Sequence, residues 1–394
     1  MSEWKKVRLK DCCHSISDGD HLPPPKSDSG VPFVTIANID ATNHIDFGNT
    51  MFVPYEYYNN LNDIRKAKFN DILYSVVGSF GKPVLIKENK PFAFQRHIAI
   101  LRPNNEIVDS RFLYYVMLSR DFYMQADTVA IGAAQRTISL TALRNMEVEL
   151  PSMEIQHRIA TILSRYDSLI ENYQKQIKLL EEAAQRLYKE WFVDLHFPGH
   201  ENTNIVDGVP EGWEKKKLHE IAEVVMGSSP KSEFYNNDKQ GLPFHQGVGS
   251  YGTRFVDDNV YSTSITRLAE PNSILFSVRA PVGRLNITKN KIIIGRGLAA
   301  MNHKDGFQSF LFYMLKERFF MDNIIGNGSI FASISKVELL DQEFIVPPMK
   351  TIKAFESLAS KLDKKIQGVD TQLRLLTEAR DRLLPKLMSG EITV

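Results

Sequence analysis

The segment Leu179-Leu180-Glu181-Glu182-Ala183-Ala184-Gln185-Arg186-Leu187 recurs near the end of the chain, where residues 375–383 read Leu-Leu-Thr-Glu-Ala-Arg-Asp-Arg-Leu. The offset between the two segments is 196 residues, since 375 less 179 is 196. The same offset relates Pro151 to Pro347, and it holds without a gap from these prolines through the repeated segments. The chain therefore contains two copies of one unit, and a duplicated unit presents two equivalent surfaces.

Apolar residues in both copies are spaced in steps of three and four, which is the pattern of a coiled-coil helix. The first series runs from Ile155 to Trp191, passing through either Leu169 or Ile170, and the second from Phe355 to Leu387. A seam of this kind is more often plain dimerisation or core packing than a device with its own function, and that interpretation stays open. We predict that the interface of the coiled coil contains Ile159, Ile162, Tyr166, Ile170, Ile177, Leu180, Leu187, Phe355, Leu358, Leu362, Ile366, Leu373, Leu376 and Leu383.

Each predicted helix needs a partner with a matching apolar seam, and the other copy supplies one. A chain that passes through a whole globule between its two helices can pack them antiparallel, with one globule at each end. At about 1.5 Å per residue, roughly 40 residues make a rod of roughly 60 Å. The two long helices would then hold the globules a fixed distance apart.

The repeat extends into the segments that precede the helices, with offsets that drift because of insertions in loops. Residues 72–76 read Ile-Leu-Tyr-Ser-Val and residues 274–278 read Ile-Leu-Phe-Ser-Val, and both segments are predicted to be buried strands. We therefore predict an α/β (α+β) fold with an internal pseudo-two-fold repeat, in the order globule, helix, globule, helix. The predicted boundaries are 1–150, 151–198, 199–346 and 347–394.

Composition limits the classes of protein to which the chain can belong. With 394 residues, 43% of them hydrophobic and 24% charged, it has the composition of a globular protein with more than one domain. Its apolar runs are short and broken by charges, and its first residues lack the pattern of a signal peptide, so we expect a cytoplasmic protein. The net charge of +1 means that binding to DNA would need a local concentration of Lys and Arg, or basic partners.

The chain lacks the motifs of catalysis and of metal binding. There is no phosphate-binding Gly-x-x-x-x-Gly-Lys-Ser/Thr loop, no His-Glu-x-x-His and no Gly-x-Ser-x-Gly elbow. The adjacent residues Cys12 and Cys13 cannot readily pair with each other and suit neither a disulfide framework nor a zinc site, so we predict that they are small buried residues. We expect a protein that is not an enzyme and that binds no cofactor itself.

The turns that follow the matched strands carry side chains suited to DNA. Arg and Lys can pair with guanine and Gln with adenine, and the same side chains bind phosphates. Any single surface Arg is more often only solvated, and Arg96 and Arg296, which recur in both copies, could equally be buried structural arginines. The candidate DNA-binding residues are Lys26, Ser79, Phe80, Lys82, Gln95 and Arg96 in the first copy, and His245, Ser250, Tyr251, Arg254, Arg279, Arg284 and Arg296 in the second.

The order of these motifs resembles that of the specificity subunits of type I restriction-modification enzymes. The resemblance covers the whole chain and includes the Trp near the start of each copy, Ser-Val-Arg-Ala-Pro-Val-Gly at 277–283, Ile-Gly-Arg-Gly-Leu-Ala at 294–299, and the Leu-Leu-x-Glu-Ala-x-x-Arg-Leu segments of both helices. The first copy departs from this pattern, with Val-Val-Gly-Ser-Phe-Gly-Lys at 76–82.

The resemblance implies a function for each part. Each globule would be a target-recognition domain for one half of a bipartite sequence in double-stranded DNA. The helices would set the spacer and bind two modification subunits, which would bring S-adenosylmethionine. Separate restriction or translocase subunits would bring ATP and Mg²⁺.

The sequence is also compatible with two other classes of protein. The chain could be a self-contained DNA methyltransferase or nuclease with duplicated DNA-binding domains. It could also be a coiled-coil adaptor that binds no nucleic acid. Methyl transfer by the chain alone would favour the first, and unchanged mobility of DNA with all partners present would favour the second.

Overall fold

The computed structural model describes residues 4–21, 23–40, 42–133, 135–319 and 333–394. The first residues, for which the sequence predicts no signal peptide, lie partly outside this range. The chain forms two compact units, one made of residues 1–173 with 372–394 and the other of residues 174–371. None of the described helices combines the length and the apolar character that crossing a membrane requires.

The first unit begins with a globule of short strands and helices. In chain order its elements are β1 Lys5–Arg8, α1 Leu9–Cys12, β2 Cys13–Asp18, β3 Val31–Val34, β4 Met51–Val53, α2 Tyr55–Asn60, β5 Ile72–Ser75, β6 Pro83–Leu85, β7 Ala93–Phe94, β8 Ile98–Pro103, α3 Ser110–Leu118, α4 Arg120–Val129, α5 Leu140–Asn145 and β9 Glu147–Leu150. The long helix α6 Met153–Phe192 follows.

The core of the first unit is a four-stranded sheet in the order β2-β8-β5-β6. Every residue of β5 is buried, as the apolar run predicts. A three-stranded sheet β4-β3-β7 and the pair β1-β9 complete the globule. The prediction for the two cysteines is confirmed for Cys12, which is buried, whereas Cys13 is only half-buried.

The second unit contains a globule of the same kind. Its elements are β10 Ile205–Val206, β11 Val209–Pro210, β12 Glu214–Lys217, α7 Leu218–Ile221, β13 Ala222–Met226, β14 Tyr235–Asn236, β15 Leu242–His245, β16 Tyr261–Ser262, β17 Leu268–Ala269, β18 Ile274–Ser277, β19 Leu285–Ile287, β20 Ile292–Ile294, β21 Leu298–His303, α8 Gln308–Phe319, α9 Lys336–Leu340 and β22 Glu343–Val346. The helix α10 Met349–Met388 ends the helical part of the chain.

The sheets of the second globule repeat the connectivity of the first. Its four-stranded sheet has the order β13-β21-β18-β19, in which β18 takes the place of β5 and is again fully buried. The pair β12-β22 corresponds to β1-β9, and the parallel pair β15-β20 corresponds to β3-β7. The prediction of two mixed α/β globules is confirmed.

The two long helices each have 40 residues, and each unit contains the start of one and the end of the other. In the first unit, Ile159 and Leu163 of α6 belong to the same buried cluster as Leu387 of α10. In the second unit, the ring of Trp191 at the end of α6 lies 6.0 Å from the ring of Phe355 near the start of α10. Within each unit, therefore, the start of one helix lies beside the end of the other.

The burial of the helices corrects the predicted seam at one position and resolves its ambiguity at another. Ile170 is 7% exposed and Leu169 is 44% exposed, so the seam passes through Ile170. Leu358, predicted to lie in the interface, is 43% exposed, and Ala359 is fully buried instead. The reason is that the step from Phe355 is four residues, which turns the small Ala359 to the core and Leu358 to the surface.

Candidate nucleic-acid interface

A tight turn follows the buried strand β5 in the first unit. The hydroxyl of Ser75 accepts a hydrogen bond from the backbone N–H of Lys82 at 2.9 Å and donates one to the carbonyl oxygen of Ser79 at 2.9 Å. The backbone N–H of Gly81 donates to the carbonyl oxygen of Ser75 at 3.0 Å. Gly81 has a φ of +91°, a conformation that favours glycine. The turn therefore projects Ser79 from a rigid base.

The second unit builds the same turn after β18. Ser277 donates to the carbonyl oxygen of Pro281 at 2.6 Å and accepts from the backbone N–H of Arg284 at 2.8 Å. Gly283, with a φ of +88°, takes the place of Gly81. Arg279 of this turn corresponds to Val77 of the first, so the two copies present different side chains on one backbone design.

A second turn lies beside the first in each unit because the strands that carry them are paired. Ser75 lies opposite Ile98, and Ser277 lies opposite Leu298. The backbone N–H of Val76 donates to the carbonyl oxygen of His97 at 2.9 Å, and Val278 makes the same bond to Gly297. Arg96 and Arg296 occupy the middle of these second turns. Each unit thus brings two turns to one end of its four-stranded sheet.

A glycine packs closely against the backbone at or just before the second turn in each unit. A Cβ atom at Gly227 would lie 2.1 Å from the carbonyl oxygen of Gly295, and one at Gly19 would lie 2.1 Å from that of Phe94. The backbone of Arg296 is held from the other side by the hydroxyl of Ser229, at 3.1 Å.

The arginines Arg96 and Arg296 are exposed, so the alternative that they are buried structural residues is wrong. The backbone N–H of Arg96 donates to the carbonyl oxygen of Asp20 and that of Arg296 to the hydroxyl of Ser229, both at 3.1 Å, while neither side chain makes an ion pair with another described residue. The other exposed candidates are Lys26, Ser79 and Arg279, and the half-buried ones are Lys82, Gln95, Ser250, Tyr251 and Arg284. Lys26 is not part of the paired turns, and the backbone N–H of its neighbour Ser27 donates to the carbonyl oxygen of Phe52 of β4.

Phe80 is not a surface contact, which corrects the prediction for this residue. Its side chain is 9% exposed, and its ring stacks on that of Tyr123 with the centroids 5.8 Å apart and the planes at 12°. The guanidinium of Arg136 lies 5.3 Å from the ring of Phe80. The aromatic ring thus supports the turn from inside.

His245 is also buried, with 1% exposure, and both of its ring nitrogens are used within the fold. One ring nitrogen lies 2.7 Å from the hydroxyl of Ser250 and the other 3.0 Å from a carboxylate oxygen of Asp258. Burial alone would raise the pKa of Asp258, but hydrogen bonds from His245 and Asn290 lower it below its ordinary value. His245 and Ser250 are therefore structural, contrary to the prediction.

The prediction that Arg254 binds DNA is wrong, because its side chain is only 2% exposed and is surrounded by partners within the fold. It forms an ion pair with Asp363 of α10 and another with Glu181 of α6, where the charged atoms are 3.3 Å apart. It also lies 4.3 Å from the ring of Phe312. Arg254 therefore connects the second globule to both long helices. The hydroxyl of Tyr251 is likewise buried, and burial raises its pKa above the ordinary range.

A hydrogen bond from tyrosine to aspartate joins globule to helix in both units. Tyr313 donates to Asp363 at 2.7 Å, and Tyr115 donates to Asp167 at 2.6 Å. Asp167 also accepts from Arg380 of α10 at 2.9 Å. The sequence carried the signal for this contact, since Tyr and Asp recur at matching positions in the two copies.

A further contact joins the first globule to α6 through Glu171. Its carboxylate lies 3.1 Å from a ring nitrogen of His44 and pairs with Lys87. The hydrogen bond from His44, aided by Lys87, lowers the pKa of Glu171 to about 2. Periodicity gave no sign of this contact, because His44 and Lys87 lie in loops.

The chain matches known proteins along both of its copies. The sequence profile of the type I restriction modification DNA specificity domain matches residues 1–182 and 210–373, so the chain belongs to this family. It is 30% identical to the putative type I restriction enzyme MjaX specificity subunit of Methanocaldococcus jannaschii, over 100% of this chain and 94% of that protein. It is 22% identical to the type I restriction enzyme HindI specificity subunit of Haemophilus influenzae, over 100% of both.

A solved structure shares the fold. The crystal structure of the type I restriction-modification system S subunit from M. genitalium superposes with a TM-score of 0.63, at 18% sequence identity, over 98% of this chain and 96% of that one.

The burial of Arg254 predicts a large effect on stability. Replacing Arg254 by Met removes a buried cation and leaves the half-buried carboxylates of Asp363 and Glu181 without it, which costs up to about 3 kcal/mol of unfolding free energy. Urea denaturation measures this change. Arg279→Met is the matched control, since that arginine is exposed and should change the unfolding free energy by no more than about 0.5 kcal/mol. Equal effects of the two substitutions would show that the ion pairs contribute nothing.

Proposed function

We propose that this chain is the specificity subunit of a type I restriction-modification enzyme, in which each globule reads one half of a bipartite DNA sequence. The proposal rests on one observation: in a chain of this family, each unit presents one set of paired turns. Both sets of turns have backbones fixed by hydrogen bonds and carry an exposed arginine, Arg96 or Arg296. Rigid turns with exposed cations and amides suit the edges of bases and the phosphates beside them.

The two sets of turns differ in their side chains, which fits two different half-sites. Arg279 stands where the first copy has Val77, and Arg284 stands where it has Lys82. One backbone design with different side chains can bind DNA in the same way and read different bases. The chain itself is the non-catalytic subunit of its complex.

The finer architecture is also part of the proposal. The helices form an antiparallel coiled coil with a pseudo-two-fold relation between the copies, and the functional boundaries are 1–150, 151–198, 199–346 and 347–394. Support comes from the apolar contacts between the start of one helix and the end of the other in each unit. The coiled coil sets the spacer between the half-sites and binds two modification subunits.

The partner subunits supply the chemistry. Modification subunits bring S-adenosylmethionine, and restriction or translocase subunits bring ATP and Mg²⁺, in the cytoplasm. The net charge of +1 fits this division of labour, because partners that hold DNA on both sides of the chain supply most of the positive charge on the phosphates.

Arg279 is the sharpest test of a base contact in the second half-site. If its guanidinium meets a guanine edge, Arg279→Ala weakens binding by the complex by about 1–3 kcal/mol and relaxes preference at one position. Titrations of target and single-base variants at several salt concentrations measure both effects. A uniform loss with a smaller salt slope would instead indicate a phosphate contact, and an unchanged affinity would remove Arg279 from the interface.

Insertions in the first long helix test the proposed function as a whole. Four residues added after Lys175 lengthen the helix by about 6 Å and rotate the remainder of the helix by roughly 400°, only about 40° past a full turn. Sequencing of methylated adenines in a host that expresses the chain with its partners should then show both half-sites with a spacer longer by about one or two base pairs, at roughly 3.4 Å per pair.

A two-residue insertion at the same place is the control. It rotates the seam by about 200° and buries polar residues, so methylation should be lost. An unchanged spacer with both insertions would mean that the helices do not set the distance. Methylation without any bipartite sequence would contradict the proposed function itself.

A further inference from the structure

A third loop adjoins the paired turns of the first unit. It lies between Ile131 and Thr137, whose backbones exchange hydrogen bonds of 3.0 and 2.8 Å. The backbone N–H of Gly78, in the turn after β5, donates to the carbonyl oxygen of Arg136 at 2.9 Å. A Cβ atom at Gly78 would lie 3.6 Å from the side-chain nitrogen of Gln135. The loop is therefore part of the same surface as Ser79.

The base of this loop is locked by contacts that leave little freedom. Arg136 forms an ion pair with Asp127 at the end of α4 and covers the ring of Phe80. Gly132 has a φ of +110°, and a Cβ atom there would lie 2.5 Å from the carbonyl oxygen of Gln135. Arg136 is the cation of this loop, and these contacts give it a structural role. The other side chains of the loop are uncharged.

Two of those uncharged side chains, Ile131 and Gln135, are exposed to solvent. Ile131 is 70% exposed, which exceeds the exposure of every other large hydrophobic residue in the described part of the chain. Gln135 is exposed, and its side-chain amide makes no hydrogen bond to a described residue. The apolar area of an exposed isoleucine stabilises a complex only when a partner removes it from water.

We propose that Ile131 and Gln135 read A·T pairs in the first half-site, with Ile131 against the methyl group of a thymine and Gln135 hydrogen-bonded to an adenine. The inference rests on the proposed function and names the bases that this surface takes. Among the four bases, thymine presents an apolar methyl group in the major groove. Adenine presents there an acceptor and a donor that the amide of Gln can match. Neither contact involves a phosphate, so neither adds to the salt dependence of binding.

The contact of Ile131 is tested by a double-mutant cycle, in which the thymine methyl group and the Ile131 side chain are removed separately and together. The complex of the full chain with its modification subunits is titrated with duplexes in which each thymidine of the target is replaced, one at a time, by deoxyuridine. Loss of one buried methyl group should weaken binding of the unaltered complex about 3- to 5-fold at one position of the first half-site. Ile131→Ala should bind the thymidine and deoxyuridine duplexes equally.

Ile107→Ala is the matched control for this cycle. Ile107 is also exposed, at 39%, but it follows β8, at the opposite end of the strand from Arg96. The complex with Ile107→Ala should still bind the deoxyuridine duplex more weakly than the thymidine duplex, by the same factor as the unaltered complex. Thymidines of the second half-site provide a control within the DNA, because Ile131→Ala should not alter their effects.

The contact of Gln135 is tested in the same way with 7-deazaadenine, which lacks the acceptor N7. Substitution at one adenine of the first half-site should weaken binding by the complex about 10-fold. Gln135→Ala should abolish this effect of the substitution and leave the salt dependence of binding unchanged.

The inference is overturned if Ile131→Ala keeps the deoxyuridine effect, or if it weakens binding to both duplexes alike. It is equally overturned if no thymidine of the first half-site responds to deoxyuridine. In each of these cases the unaltered complex still selects a two-part target, so the proposed function stands. A complex that selects no sequence would instead contradict the proposed function.

Discussion

A hydrogen bond from a globule tyrosine to a helix aspartate connects each globule, with its paired turns, to one of the long helices. It occurs in both units, at 2.6 Å between Tyr115 and Asp167 and at 2.7 Å between Tyr313 and Asp363. Each aspartate also holds an arginine, which comes from α10 in the first unit and from the globule in the second. Such charge-assisted bonds have a narrow geometry, so they fix how the globule sits on its helices.

The paired turns, which we propose to bind DNA, are held in position through the sheet. They lie at one end of β5 and β8, or of β18 and β21, and their backbones are bonded to one another. A rigid path therefore leads from the helix aspartate through the core of each globule to its exposed arginine. Preorganised turns lose little freedom on binding, which suits a protein that must distinguish similar sequences.

Much of this architecture could be predicted from the sequence because it is periodic or repeated. The heptads predict the long helices, the apolar runs predict the buried strands, and the repeat predicts that the turn after β5 recurs after β18. Arg254 was assigned wrongly because its partners Glu181 and Asp363 are distant in the chain, and no local pattern links them. Leu358 was misplaced since three and four are both allowed steps, and only packing chose Ala359.

The single residues of loops were the least predictable part of the site. Arg96 and Arg296 recur in both copies, which is compatible with either a buried or an exposed role, and only their exposure decided between them. Ile131 lies in a stretch rich in Gly and Ala without a period, so nothing in the sequence separates it from a core residue.

The central claim is that each globule reads its half of the target independently, and an exchange of one globule tests it most directly. Residues 1–150 would be replaced by the corresponding domain of a relative that keeps a tyrosine at the position of Tyr115, and methylated adenines would be sequenced in a host that also expresses the partner subunits. We expect that one half of the methylated sequence changes while the other half and the spacer remain. A change in both halves, or in neither, would contradict it.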